Sequence, residues 1–391
     1  MAALDGIRVI DAGVLIQAPQ AAALLAQLGA SVIKVELPGF GDQVRWLPVT
    51  TGDLRSAFFA ACNRGKRSVT VDLRVPSGRD VFLRLIEATD VLVTNFAPGT
   101  LERWGLGYDV LSARNPRLVF AAGSAFGPDG PDAGREGADL SAQASGGLIS
   151  GTGVDGGEPT PVAATIADHV AGQNLVAGVL AALLARARTG RGQRVDVSLL
   201  GGQIWAQAGE YTACLMTGVS PGRSNRGHPL IAGLYGIFPT ADGWIAVVGV
   251  TLRQRDAFYG AIGRLDLLDD PRFASPILAP PEKAALFAEV ARAMTARTTA
   301  EWCSVLAAAG QRFAPVRDHA AVVADPQPWA NGYLATDESG GPIVGPPIKL
   351  SDTPATAGTA PPELGQHTEE VLLEHGYTWD EITALQDAGA I

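Results

Sequence analysis

The chain has 391 residues, with 30 Lys+Arg against 40 Asp+Glu for a formal net charge of −10, 47% hydrophobic residues and 18% charged residues. A poorly charged chain of this length buries a large core, which excludes wholesale disorder, and the length sets a prior of about two to three domains. The acidic balance excludes a sequence-independent nucleic-acid binder, and three distant cysteines (Cys62, Cys214, Cys303) with no CxxC argue against a zinc site or a disulfide scaffold.

In chain order, IRVIDA (Ile7–Ala12) predicts a strand, Pro19 suits the first turn of the helix carried by AAALLAQL, and Gly29 stops it. SVIKVE (Ser31–Glu36) follows as a second strand, so the first forty residues read as a βαβ unit with parallel strands and a right-handed crossover. SVTVDL (Ser68–Leu73) predicts a third strand, and Ser77, three residues before Asp80, the N-cap of the helix VFLRLIEA. DVLVTNF (Asp90–Phe96) and RLVFAAG (Arg117–Gly123) continue an α/β layered domain.

Residues 124–165 are dense in Gly, Pro and Asp, and loops this long in a compact domain are functional or disordered. Between them lies a short helix in ADLSAQASGGL. A long helix from Ala167 or Asp168 to about Arg188, a strand at Gln193–Leu199 and a helix to about Met216 come next. The expected organisation is a large domain over 1–216, a linker over 217–233, a small domain over 234–325, and a return linker with the closing part of the large domain over 326–391. The small domain opens on a hairpin, YGIFPTADGWIAVVG, turning at Asp242–Gly243, with helices around 252–262, 281–296 and 299–309. Two closing helices fall around 367–375 and 378–388. Asp5 and Arg8 interrupt the run a signal peptide needs, and Leu175–Ala185 falls short of the ~20 apolar residues that span a bilayer. The expectation is a soluble cytoplasmic protein with no membrane partner.

Several common chemistries lack their residues. The first strand–helix turn, DAGVLIQAP, is not G-x-G-x-x-G, RGKRS only imitates a phosphate loop, and neither G-x-S-x-G nor H-E-x-x-H occurs. Five scattered His suggest no metal site. Three features remain. Arg64, Lys66, Arg67 and Arg74 form a basic island, readable as a solvated loop or as a phosphate contact near strand ends. Asn95–Phe96 closes a strand, as a cap and a core side chain or as groups that hold a ligand. Asp168 starts a helix, as an N-cap carboxylate or as a nucleophile that forms a covalent acyl intermediate.

The runs LxGIRVIDAG, QAPQAAALLAQLGASVIKVE, NRGKRSVTVDLRVPSGR, NFAPGTLERWGLGYDVLSARNPRLVFAAGSAFGPDGP, DLSAQASGGL, ARTGRGQRVDVSLL and LGQHTEEVLLEHGYTWDEI, in this order, resemble the family III CoA-transferases over nearly the whole chain. That group includes formyl-CoA and carnitine CoA-transferases, and the α-methylacyl-CoA racemases share its fold. The resemblance implies an α/β fold with a Rossmann-like large domain built from both chain ends, a smaller α+β domain, and an interlocked homodimer with the active site between the large domain of one subunit and the small domain of the other. It implies no permanently bound cofactor and no metal; coenzyme A enters as a thioester substrate, with a carboxylic acid as the other partner.

Residue by residue, the resemblance places the catalytic aspartate at Asp168 in IADHVAG. Gln17 and Ala18 match residues that lie along CoA, Val71, Asp72, Leu73 and Arg74 match a stretch that lines the nucleotide, and Asn95, Phe96, Ala97 and Arg103 match the NF…R element. The match to a mobile glycine loop at Gly227 is loose. Two positions depart from the family: Leu37–Pro38 and Ala97 stand where basic residues often occur. The implied reaction is a ping-pong transfer by an Asp168 that is expected to be ionised, since free Asp titrates at about 3.9. The alternatives are an acyl-CoA racemase or epimerase and a non-catalytic acyl-CoA binder. The racemase branch carries a His immediately before the Asp of ADLSAQ; here that position is Ala138.

Overall fold

The computed structural model describes residues 1–249, 251–275, 277–338 and 340–391. The chain divides into two compact units, one of 1–147, 162–206 and 326–391, the other of 148–161 and 207–325.

The first unit is built on a six-stranded sheet of β1 (Arg8–Asp11), β2 (Ser31–Glu36), β3 (Lys66–Thr70), β4 (Val91–Thr94), β5 (Val119–Ser124) and β6 (Arg194–Ser198). Every pairing is parallel and the order is β3-β2-β1-β4-β5-β6. This is the doubly wound order in which the direction of winding reverses between β1 and β4. The pleat sorts the apolar residues. Val9, Val32, Val91, Val93 and Val119 face one core, with Ala21, Leu25, Leu175 and Val179 from the helices Gln17–Gln27 and Ile166–Thr189. Ile10, Ile33, Leu92 and Phe120 face the other, with Phe82, Leu85, Val371 and Ile382. Each such fully buried side chain stabilises the fold by roughly 1.5–3 kcal/mol. Val371 and Ile382 belong to the closing helices Thr368–Glu374 and Trp379–Asp387, so both chain ends build this unit.

Two expectations move. β3 begins at Lys66, not Ser68, because Lys66 turns inward and ends on Asp11, so a charged residue occupies a core position. The helix after it is Pro76–Glu87 with Val75 as N-cap, and Ser77 lies inside its first turn. Pro76 occupies N1, where a missing N–H costs nothing. The helix Ile166–Thr189 has the length and apolarity of a membrane span, yet Leu175, Val176 and Val179 are core residues and Arg186 pairs with Asp90 at 2.9 Å.

The second unit holds the antiparallel sheet β7 (Leu234–Pro239), β8 (Trp244–Gly249) and β9 (Arg312–Pro315). Helices Leu252–Ala261, Pro280–Met294 and Thr299–Ala308 cover it around Phe238, Phe258, Phe273 and Met294. Gly227 bridges to Gly236, and a Cβ there would lie 2.2 Å from the Tyr235 carbonyl, so its smallness serves packing against β7. In the first unit the return segment carries a hairpin that the sequence left as loop, β10 (Leu334–Thr336) with β11 (Pro342–Val344).

Candidate active site

The loop between β1 and the helix Gln17–Gln27 is fixed group by group. Asp11 accepts the Gly13 N–H at 2.9 Å, and Lys34 Nζ donates to the Gly13 carbonyl at 3.1 Å. Asn95 accepts from Val14 N and donates to Val14 O, both at 2.8 Å, and Asp42 accepts the Leu15 N–H at 3.0 Å. Leu15 sits at φ 63°, a left-handed conformation that a branched side chain adopts only when its surroundings impose it. Beneath the loop lies a fully buried charge network: Lys34 meets Asp42 at 2.9 Å, and Lys66 meets Asp11 at 2.6 Å, Pro19 O at 2.7 Å and Asn63 at 2.8 Å. Burial opposes the charges on Asp11 and Lys34, but the opposite charges beside them prevail, holding the Asp11 carboxyl down and the Lys34 ammonium up. Burial depresses Lys66 to about 8.

Most of the basic island is engaged within the protein. Lys66 is a core residue, Arg67 pairs with Glu370 and Glu374, and Arg64 is buried, reaching the Ala357 carbonyl at 3.4 Å. Of the four, Arg74 lines the cavity at the carboxyl ends of the strands. That cavity, of about 230 Å³, opens at the carboxyl ends of β1, β2 and β4 beside the β1–β4 reversal, and Val71, Asp72, Leu73, Arg74 and Phe96 all line it. Open α/β sheets hold ligands at this place. Arg74 grips Asp72 bidentately at 2.8 and 2.7 Å but is 59% exposed, so its outer edge faces solvent. Phe96 stacks edge-on against Trp104 at 5.4 Å. Ala97 lines a neighbouring cavity of about 90 Å³ at the ends of β4, β5 and β6. Arg103 is exposed and donates to Thr100 Oγ1 at 2.8 Å. Asn95 is neither helix cap nor free amide: both its ends are engaged by Val14. A larger cleft of about 730 Å³ lies at the opposite, amino ends of β1 and β2, lined by Arg8, Arg67 and Arg84 with Glu87, Glu374 and His375, and it contains none of the residues that the resemblance places at the site.

Gln17 and Ala18 open the first helix. Gln17 is 3% exposed, and among the described residues its Nε2 has no partner. A Cβ at Gly123 would lie 2.4 Å from Gln17 Oε1, so that glycine makes room for the amide. No acceptor among the described residues takes the Gln17 or Ala18 N–H, and Pro19 has none to offer. The long helix crosses here: a Cβ at Gly172 would be 3.0 Å from the Gln17 carbonyl, and His169 Nδ1 bonds Gln20 Oε1. Asp168 shares a face with Gly172 one turn away.

Asp168 is not the cap of its helix. The first N–H groups are satisfied without it: Ile166 N on Ala164 O, Ala167 N and Asp168 N on Asp139 Oδ1 at 2.7 and 3.2 Å, and His169 N on Thr165 O. Among the described residues no donor reaches the Asp168 carboxylate. Burial, and then the Asp139 charge, push it up to about 7. Burial and the Asp139 charge thus oppose the full ionisation expected from the free value. Asp139 itself was not anticipated; its only sequence signal was an acid at the start of ADLSAQ. Ala138 precedes it and can move no proton. Among the described residues no group of His, Cys, Asp or Glu is gathered to hold a metal.

A sequence model of CoA-transferase family III matches residues 4–368. The chain belongs to CoA-transferase family III. This family III CoA-transferase is 34% identical to the acetyl-CoA:oxalate CoA-transferase of Acetobacter aceti over 89% of each chain. It is 37% identical to the succinyl-CoA–L-malate CoA-transferase beta subunit of Chloroflexus aurantiacus, over 95% of this chain and 93% of that one. With the succinate–glutarate CoA-transferase of Agrobacterium fabrum it shares 34% identity over 95% of each chain. A CAIB/BAIF family protein from Brucella suis has the same fold, with a TM-score of 0.86, 33% identity, and coverage of 96% of this chain and 99% of that one. The chain is thus a transferase enzyme that uses CoA thioesters, which sets aside the non-catalytic binder.

Proposed function

We propose that this enzyme moves CoA from an acyl-CoA donor to a free carboxylic acid with Asp168 as the nucleophile. The observation that carries this is a carboxylate at a helix start, partly buried, with no donor upon it among the described residues and its capping duty taken by Asp139. An ionised Asp168 oxygen attacks the thioester carbonyl carbon, the C–S bond breaks, and CoA leaves as thiolate from an acyl-aspartyl anhydride. The thiolate attacks the aspartyl carbonyl and expels the donor acid, leaving an aspartyl-CoA thioester. The acceptor carboxylate then displaces the thiolate to form a second anhydride. The thiolate attacks the acceptor's carbonyl, releasing the new acyl-CoA and free Asp168. The N–H groups of Gln17 and Ala18, at the positive end of their helix, suit the tetrahedral oxyanion. Water must be kept out, or the anhydride hydrolyses.

The CoA moiety runs along Gln17, Ala18, Val71–Arg74, Asn95–Ala97 and Arg103, with Arg74 and Arg103 toward phosphate and Asn95 acting through the loop it holds. The related enzymes are named for oxalate, malate, succinate and glutarate, so short dicarboxylic acids are the acid class. The enzyme works as an interlocked cytoplasmic homodimer. Exposed Leu215 and Met216, adjacent on one helix, support a partner-covered surface, and light scattering on dilution, showing a dimer or a folded monomer, tests it. The substrate reading is tested by a screen of acyl-CoA donors against free acids with mass spectrometry of the thioesters. Exchange of CoA between two short dicarboxylic acids is the expected result; free CoA released with no new thioester from any pair contradicts it.

A further inference from the structure

We propose that Gln143 is a positioning residue for the reaction: it straps the segment ahead of the long helix to the helix Asp139–Ser145 and so fixes the carboxylate of Asp168. The proposal rests on the reading of Asp168 as nucleophile. Gln143 is 1% exposed, and its amide is used from both ends. Nε2 donates to Asp139 Oδ2 at 2.6 Å and to the Ala164 and Val162 carbonyls at 3.1 and 3.3 Å, while Oε1 accepts from Val162 N at 3.0 Å. The segment it holds has little else to fix it: Ala163 and Ala164 are exposed and lie outside any helix or strand.

The strap reaches Asp168 by two routes. Val162 and Ala164 are the last fixed points before the helix starts, so their height sets where its first turn begins. Asp139, held on one oxygen by Gln143, holds the Ala167 and Asp168 N–H groups on the other. An amide suits this junction. It donates to a carboxylate and to carbonyls while accepting an N–H, which neither a cation nor a carboxylate does. It also leaves the Asp139 charge in place. A reacting oxygen must stand within about 3–3.5 Å of the thioester carbon, and a displacement of about 1 Å costs on the order of 100-fold in rate.

The test combines hydrogen exchange with steady-state kinetics on the full-length Gln143→Leu and Gln143→Glu variants. Gln143→Leu removes every bond of the strap; Gln143→Glu keeps the acceptor for Val162 N and loses the donated bonds. The expected result is faster exchange confined to the peptide spanning 162–168. With it, kcat falls about 10–100-fold while KM for the acyl-CoA stays within about threefold. If Gln143→Leu does not fold, Gln143→Glu is read in its place. Unchanged exchange means no strap, and faster exchange with unchanged kcat means a strap that positions nothing; either overturns the proposal. A wild-type protein that transfers CoA between no pair of acids sinks the functional reading instead, and the exchange arm alone then decides for or against the strap.

Discussion

Asp139 and Asp168 share one helix end and divide its duties. Asp139 Oδ1 accepts the Ala167 and Asp168 N–H groups at 2.7 and 3.2 Å, and among the described residues no donor reaches the Asp168 carboxylate. Two acids near a single helix start would both be drawn to its N–H groups. Here one takes them and the other is left basic and unencumbered, as an attacking oxygen should be.

That division has a cost in stability. Asp168 titrates near 7 folded and near 3.8 unfolded, so ionising it works against the folded state progressively as pH rises from about 4 to 7. At 1.36 kcal/mol per pKa unit the penalty at pH 8 is on the order of 4 kcal/mol, larger than the ~0.3–1 kcal/mol that an acid in a first helical turn contributes. Asp168→Asn is therefore expected to raise the thermal midpoint at pH 8, with the gain shrinking toward pH 4. Melting curves at the two pH values check this; a less stable Asn variant at pH 8 contradicts it.

The same carboxyl sets an acidic limb on activity. Only the ionised form attacks, so kcat/KM is expected to rise through a pKa near 7 and level off above it. Asp139→Asn removes a nearby negative charge while keeping an oxygen for the two N–H groups. The limb should move to lower pH, though not to the free value, because burial is the larger cause. A limb that stays in place in Asp139→Asn removes that charge from the account.

The central strands were legible because they are short β-branched apolar runs: Val91–Thr94 is buried throughout, and Val9 and Ile10 divide between two cores as the pleat requires. The start of β3 was not, because Lys66 looks like solvent-facing charge until Asp11, Pro19 and Asn63 are seen around it. Tertiary partners also decide the site. Asp168 could be placed only by resemblance, and nothing within IADHVAG shows that Asp139, 29 residues earlier, would relieve it of capping. Asn95 is picked out by its place at the end of a strand, but its partner Val14 is 81 residues away and invisible to local pattern.

Arg74 should matter to every acyl-CoA alike. A charge-assisted contact from its exposed edge to phosphate is worth about 1.5–3 kcal/mol, or roughly 10–100-fold in affinity. Arg74→Ala also frees Asp72, whose carboxyl Arg74 holds below its usual range, so the double variant Arg74→Ala/Asp72→Asn separates lost attraction from new repulsion. Isothermal titration with CoA and two acyl-CoAs reads the effect. A change in preference among acyl groups with CoA affinity intact places Arg74 at the wrong end of the ligand.

Gly123→Ala tests the seat of Gln17. The new methyl would lie 2.4 Å from Gln17 Oε1, the end of a side chain that can swing aside, so folding should survive while the amide is displaced. A fall of about tenfold or more in kcat with an unchanged far-ultraviolet spectrum is the expected outcome. Full activity would show that the position of the Gln17 amide is immaterial.

The most direct measurement traps the covalent intermediate. Enzyme is mixed with a donor acyl-CoA, quenched with hydroxylamine, digested and mapped by mass spectrometry. The account predicts a hydroxamate on Asp168, dependent on the donor and lost when the donor is replaced by free CoA, with no transfer by Asp168→Ala. Transfer at a normal rate with Asp168 unmodified, or an active Asp168→Ala enzyme, would contradict it.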